Sequence, residues 1–304
     1  MGRLAEALTG LVAGGRRWDT YCIQVFTFRA TILEVLAMLA GKIWRRRIVL
    51  VMRDGRLIQT LDRWPALAAI YRRADAIVFP SGFLQEGLHP HRLKGTIIPN
   101  VVDLDHYTCK IRKTIRPRLL FMRTFHPLYN PELALRVYRR VKDRRPDASL
   151  TMAGMDRDYL DEVRKAAERM GLDDVRFQGF VDKRDVPALM ADHDIYLNTP
   201  HMDNTPVSVI EALACGLPVI STRVGGIPYL LEDGKTGLLV PDDDDAAMAD
   251  AVFRLLDEPG LAEALSPQGR GRVESFTWEH VRDQWRAVLS GARPESAGRD
   301  PAGA

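Results

Sequence analysis

Between residues 118 and 240, six short apolar runs alternate with longer segments of helical spacing, and that alternation leaves few folds open. The runs are RLLFM (118–122), ASLTMAG (148–154), VRFQGF (175–180), DIYLNT (194–199), PVIST (218–222) and TGLLV (236–240). Each is strand length, and helices are expected over 131–143, 157–170 and 185–191 and from about Pro206. Strands joined by helical crossovers form a parallel sheet, so residues 113–290 read as one complete doubly wound α/β domain.

The first part of the chain shows the same alternation with fewer strands. YCIQVF (21–26), a helix over 29–41, RIVLVM (47–52), a helix near 65–73, AIVFP (76–80), a helix over 82–88 and TIIPNVVDLDHY (96–107) give at most four. A Rossmann-like half usually needs more, so residues 1–112 are expected to form an incomplete N-terminal domain. The basic stretch 108–117, ending in Pro117, reads as the linker at the domain boundary. Leu4, Leu8, Leu11 and Val12 fall on one face of a short helix stopped by Gly14 and Gly15. DDDDAAMADAVFRLLDEP (242–259) reads as a helix capped by aspartate, TWEHVRDQWRAVL (277–289) as an amphipathic last helix, and 291–304 as a disordered tail.

Composition narrows the function classes. Cys22, Cys109 and Cys215 stand far apart without ligand spacing, which suggests neither a disulfide framework nor a metal site and makes the cytoplasm the expected compartment. The most apolar stretch, 23–44, is interrupted by Arg29, Glu34 and Lys42 and cannot span a bilayer. Residues 1–118 carry 20 Lys and Arg against 9 Asp and Glu, whereas the remainder carries 23 against 31. The basic half lacks the aromatic-interleaved stripe of a nucleic-acid binder; it suits an anionic lipid surface, with peripheral contact at the inner membrane face, or a lipid-linked phosphate acceptor.

The chemistry is concentrated in DNTPVSVIEALACGLPVISTRVGGIPYLL (203–231). Thr205 is a good N-cap, Pro206 suits a first helical position, and Val207, Ile210, Leu213 and Ala214 follow at helical spacing. A helix starting there lies at the carboxyl edge of the sheet, with the N–H groups of Val207 and Ser208 facing the crevice. An anion at such a start gains about 0.3 to 2 kcal/mol, and a nucleotide diphosphate fits. Two carboxylates flank the turn, Asp203 and Glu211. Glu211 follows Ser208 at capping-box spacing, so it is read either as a backbone cap or as a ligand group.

Asp203, seven intervening residues, Glu211, and then EALACGLPVISTRVGG with GLLVP (237–241) resemble the retaining glycosyltransferases of family 4, which have the GT-B architecture of two Rossmann-like domains. ADAIVFPSGFLQEGL (74–88) and IIPNVVDLDHY (97–107) resemble the end of that family's N-terminal domain, and in that architecture the last helix, here 277–289, usually crosses back toward the N-terminal domain. The resemblance implies a retaining transfer from a nucleotide-diphosphate sugar, with no further cofactor and no metal, to an acceptor that the sequence does not name: a glycan, a lipid-linked group or a small molecule. It implies that Glu211 holds the donor ribose, that the backbone of Pro206, Val207 and Ser208 holds the diphosphate, and that Asp203 orients the transferred sugar. Arg123 would grip the diphosphate and stabilise its departure, and Gly179 and Phe180 would meet the nucleobase.

The chain departs from the family in several places. Asp203 replaces the usual Glu, Arg53 stands where a catalytic His is common, and Leu128 stands where a Lys normally follows the Arg. The family's opening strand, glycine-rich loop and helix are not found, so the N-terminal domain reads as truncated. A guanidinium stays protonated and cannot replace a neutral base, and His89 and His91 read as surface residues. Donor grip would then rest on Arg123 and backbone amides, with His126 or Asn130 in support. The alternative is a catalytically weak nucleotide-binding homologue that assists another transferase. An epimerase or phosphorylase is less favoured, because no lysine-bearing cofactor site is seen.

Overall fold

The computed structural model describes residues 18–26 and 30–292, so the helix expected over residues 4–12 and nearly all of the tail 291–304 lie outside the described residues. Contacts divide the chain into two compact units, Met1–Pro99 with Glu279–Ala304, and Asn100–Trp278.

In the first unit, β1 (Thr20–Val25), β2 (Arg47–Met52), β3 (Ala76–Phe79) and β4 (Thr96–Ile97) form a parallel sheet in sequential order. Residues Ile48 to Met52 are all buried, as expected of an unbroken apolar run in a sheet covered on both faces. The crossovers are helices α1 (Ala30–Ile43), α2 (Leu57–Arg63), α3 (Pro65–Tyr71) and α4 (Gly82–Leu88). Inside α1, Glu34 is buried; it accepts from the Phe26 N–H at 2.7 Å and the Tyr71 hydroxyl at 2.8 Å, and burial pushes its carboxyl above the usual range.

The second unit holds six parallel strands: β5 (Arg118–Met122), β6 (Ser149–Ala153), β7 (Arg176–Gly179), β8 (Ile195–Asn198), β9 (Val219–Thr222) and β10 (Leu238–Val240). All six expected strands are present, and their order is β10-β9-β8-β5-β6-β7. The helices are α5 (Pro131–Arg144), α6 (Leu160–Arg169), α7 (Val186–Ala191), α8 (Val207–Ala214), α9 (Ile227–Leu230), α10 (Asp245–Asp257) and α11 (Leu261–Glu274). Side chains alternate between two cores: Leu119 and Phe121 join one face with Val137 and Val252, while Leu120 and Met122 join the other with Val209 and Leu213. Asp244 caps α10 by accepting from the Ala247 N–H at 2.8 Å. From β5 the chain winds outward one way through β6 and β7, and from β8 the other way, so the strand order reverses between β5 and β8. Ligands of open α/β sheets bind at the carboxyl edge of such a reversal.

Two boundary expectations need correction. The division falls between Pro99 and Asn100, not at residue 112: the Val102 N–H bonds the Phe276 carbonyl at 2.9 Å, and Val102 and Tyr107 lie in the core of the second unit. At the far end the bound of 290 moves back, because α12 (Trp278–Ser290) belongs with the first unit, as the resemblance implied for the last helix, and Val281 packs there against Val49, Val51, Val78 and Ile98.

The supposed linker is structural as well. Arg112 is 1% exposed. Its Nη1 donates to the carbonyls of Lys110 (2.7 Å) and Cys215 (2.5 Å), and its Nη2 to those of Met190 and His193 (both 3.1 Å). Three of these carbonyls lie at or just beyond the carboxyl ends of α7 and α8, where the dipole favours a cation. Replacing Arg112 with Met would remove four bonds from a charged donor, leaving the Cys215 and Met190 carbonyls only the backbone N–H groups of Lys110 (3.1 Å) and His193 (3.3 Å). Since a hydrogen bond involving a charged group contributes about 1.5 to 3 kcal/mol, Arg112→Met should lower the unfolding free energy by at least about 3 kcal/mol. Urea denaturation followed by circular dichroism measures this, and an unchanged midpoint would refute the role.

Candidate functional site

The reversal brings two loops together. Arg123 follows the end of β5, and the segment from Thr199 to Pro206 runs from β8 into α8. They are laced by hydrogen bonds: the Thr199 hydroxyl donates to the Tyr129 and Asn130 carbonyls at 2.8 and 2.9 Å, and the His201 N–H donates to the Leu128 carbonyl at 2.9 Å.

Arg123 is the centre of this arrangement. Its Nη2 lies 2.6 Å from Asp203 Oδ2 in an ion pair that is nearly buried on both sides. Nη1 donates to Ser208 Oγ at 3.2 Å, which places the guanidinium at the first turn of α8, and the Tyr129 ring lies 4.2 Å from the guanidinium carbon. Burial works against its charge, but Asp203, Tyr129 and Tyr196 outweigh burial and raise its pKa, so it remains a cation. At the start of α8 the N-cap residue, Pro206, makes no side-chain capping bond, and Val207 in the first turn is 44% exposed. The helix begins at Val207, with Pro206 as its N-cap at ψ 117°, one residue later than expected. Thr205 is therefore not the cap. Its carbonyl instead accepts from Asn100 Nδ2 at 2.9 Å.

Glu211 sits one turn farther along α8, and its Oε1 accepts from the Tyr107 hydroxyl at 2.8 Å. Its partner is thus a phenol contributed from more than 100 residues away rather than the N–H expected of a capping box. Gly179 ends β7 with φ +72° and bonds back to β6, the Gly154 N–H donating to its carbonyl at 2.7 Å. Phe180, next in sequence, is 69% exposed. Both stand on the same carboxyl edge as Arg123, Asp203, Pro206, Val207, Ser208 and Glu211, and Gly154, which bonds Gly179, also lies against the Arg123 carbonyl.

The supporting residues expected near Arg123 have other duties. His126 Nδ1 accepts from the Leu128 N–H at 3.1 Å, fixing the turn. Asn130, at φ 43°, caps α5 by accepting from the Leu133 N–H at 3.2 Å and donates to Asp243 at 2.8 Å. In the first unit, Arg53 follows β2, its N–H donates to the Val25 carbonyl at 3.0 Å, and burial lowers its pKa while Cys22 opposes that. His91 pairs with Asp62 at 2.9 Å. A separate cavity of about 760 Å³ in that unit is lined by Thr31, Arg56, Arg63, Trp64, Leu67 and Ile70.

Sequence reasoning missed Tyr107, Tyr129 and Asn100, and it did not see why the glycines are there. A Cβ at Gly154 would lie 1.8 Å from the Arg123 carbonyl oxygen, and one at Gly225 would lie 2.1 Å from the Asp203 carbonyl oxygen. The glycine pair after PVIST was the available signal.

Residues 110–272 match the family model for glycosyl transferases group 1. The chain is 28% identical over 218 residues to D-inositol 3-phosphate glycosyltransferase of Actinosynnema mirum, covering 66% of this chain and 52% of that one. It is 28% identical over 187 residues to the GDP-mannose-dependent alpha-(1-6)-phosphatidylinositol monomannoside mannosyltransferase of Mycolicibacterium smegmatis, covering 59% and 49%. The chain thus spans about half the length of the curated relatives it matches. In fold it is similar to Anabaena Alr3699/HepE, whose crystal structure was determined in complex with UDP-glucose, with a TM-score of 0.80 and 20% identity over 95% of this chain and 83% of that one.

The glycine contacts can be tested by comparison. Gly225 (φ +52°) and Gly234 (φ +75°) both occupy the left-handed region, but nothing lies within 4 Å of a Cβ at Gly234. Gly234→Ala should therefore cost only the backbone preference, about 1 kcal/mol, whereas Gly225→Ala must also displace the Asp203 backbone and should cost clearly more. Equal losses in thermal unfolding would refute the close packing.

Proposed function

The chain belongs to the glycosyl transferases group 1 family, and on that premise we propose that it moves a sugar from a nucleotide-diphosphate donor to an acceptor with retention of configuration, in a scheme that requires no metal ion. The observation that carries this reading is the largely buried Arg123 guanidinium held against the first turn of α8 by Asp203 and Ser208. In the transfer, the bond from the anomeric carbon to the β-phosphate oxygen breaks and negative charge grows on the leaving diphosphate. Arg123 and the peptide N–H groups of Val207 and Ser208 would stabilise that charge from positions already fixed. Asp203 would exchange part of its pairing with Arg123 for the sugar hydroxyls, Glu211 would hold the ribose, and Gly179 and Phe180 would meet the base.

The UDP-glucose complex of the Anabaena neighbour supports a nucleotide sugar as the donor. Two of the relatives are named for inositol phosphate and phosphatidylinositol acceptors. Together with the basic first part of the chain, they support a phosphate-bearing or lipid-linked acceptor taken up at an anionic membrane face. The cavity beside Arg56, Arg63 and Trp64 is where its approach would be sought first. Arg53, standing where the resemblance expects a His, favours the second reading, a nucleotide-binding homologue that assists another transferase. Nucleotide binding without hydrolysis or transfer of any activated sugar would select that reading.

Calorimetric titration with UDP, GDP and ADP should identify a bound base, and failure of all three would remove the donor site. Arg123→Ala should weaken the preferred nucleotide at least about tenfold and, where turnover is present, lower kcat by about 100- to 1000-fold. Glu211→Ala should weaken the nucleotide but not inorganic pyrophosphate. Unchanged nucleotide affinity there would remove Glu211 from the ribose role.

A further inference from the structure

We infer that Tyr107 is a positioning residue of the donor site: its hydroxyl fixes one oxygen of Glu211 and leaves the other to accept from the paired hydroxyls of a ribose. The inference rests on the reading of Glu211 given above.

Both side chains are nearly removed from water, Glu211 at 7% and Tyr107 at 3% exposure, and their oxygens are 2.8 Å apart. The terminal torsion of a glutamate is soft and broad, so a carboxylate meant to receive two hydroxyls at fixed positions gains from a partner that sets its plane. Tyr107 is itself anchored. It follows the short turn Leu104–His106, and its carbonyl accepts from Arg270 Nη1 at 2.9 Å. The same Nη1 donates to the carbonyl of Ala214 at 2.6 Å, at the carboxyl end of α8. The phenol is thereby tied to the helix that carries Glu211, and the two keep register with each other.

Charge leads to the same residue. Burial pushes the Glu211 carboxyl above its usual range, while the Tyr107 hydrogen bond and the Lys183 ammonium work to hold it down. Burial and the neighbouring Glu211 push the phenol up, so Tyr107 remains an O–H donor wherever Glu211 is ionised. Cys215 at the end of α8 and Tyr196 on β8 also feel Glu211, and neither of them is cationic. Because Tyr107 lowers the pKa of Glu211, removing its hydroxyl must raise that pKa further, and binding that needs the carboxylate will then fail at a higher pH. A tyrosine acting only as packing would show no such effect.

The test uses the full chain, the isosteric variant Tyr107→Phe, and Glu211→Gln. Each is titrated with the tightest-binding of UDP, GDP and ADP from acid to neutral pH, with melting curves to check that the fold is kept. Tyr107→Phe should weaken binding roughly tenfold, the size expected for a hydrogen bond to a charged group, and should move the acid limb of the affinity profile to higher pH. Carbon-13 NMR of the Glu211 carboxyl without ligand should show the same upward movement, which keeps the inference testable if binding is too weak to follow. If Tyr107→Phe matches the wild type in affinity and pH profile while Glu211→Gln binds weakly, the positioning role is overturned and the ribose role stands. A loss of affinity with an unmoved pH profile also overturns it, by making Tyr107 merely structural. If Glu211→Gln binds as well as the wild type, the ribose reading fails, and the inference fails with it.

Discussion

A guanidinium buried at the amino end of a helix is an unfavourable placement unless something negative shares the space. The helix start carries roughly half a positive charge, so Arg123 would be repelled by the turn it touches were Asp203 not 2.6 Å away and the Tyr129 ring not against its face. Much of the local backbone serves this pairing. Gly154 lets the Arg123 carbonyl approach, Gly225 and Gly226 let the loop carrying Asp203 and Asn204 close down, and Asn100 holds the Thr205 carbonyl from behind. The pair is neutral as a unit, and the positive end of the helix dipole beside it would favour an anion there.

The elements that position this edge were legible because each is local. Unbroken apolar runs such as RIVLVM and RLLFM are long enough for strands and too short for helices, and the helical spacing between them enforces crossovers. The order Asp203, Glu211 and then the glycine pair marked the site by resemblance, and Arg123 followed from its place after a strand. What escaped reading depends on partners far away in sequence. Arg112 sits in a run of basic residues that looks solvated, and only the carbonyls of residues 190, 193 and 215 reveal a buried staple. Tyr107 and Glu211 are 104 positions apart, and no local pattern connects a phenol in a turn to a carboxylate in a helix. Thr205 failed as a cap for a related reason: proline at the next position takes the extended ψ of the cap itself, and the helix opens one residue later.

The division of the chain carries the same lesson at larger scale. A basic, proline-bounded stretch satisfies every compositional rule for a linker, yet its backbone and its largest side chain are bound into the second unit. The last helix is amphipathic in either setting, so its pattern alone does not state which sheet it covers; only the resemblance implied a return to the first unit. Val281 among Val49, Val51, Val78 and Ile98 decides that through packing alone.

Leu128 bears on how strongly one cation must act. At its position the backbone is committed on both sides, its N–H to His126 and its carbonyl to His201, and its side chain carries no charge. Position 128 therefore offers a diphosphate no ammonium beside Arg123, and the grip at this turn would rest on that guanidinium and peptide dipoles. A lone cation in water would be a weak grip, because two unit charges 4 Å apart interact by only about 1 kcal/mol there. Arg123 is not in water. Its burial, and the aromatic face and carboxylate that hold it in one orientation, raise the effective strength of the charge and remove the reorganisation that a flexible lysine would require. The desolvation that makes the ion pair necessary is thus the same property that would let one arginine take the place of two cations.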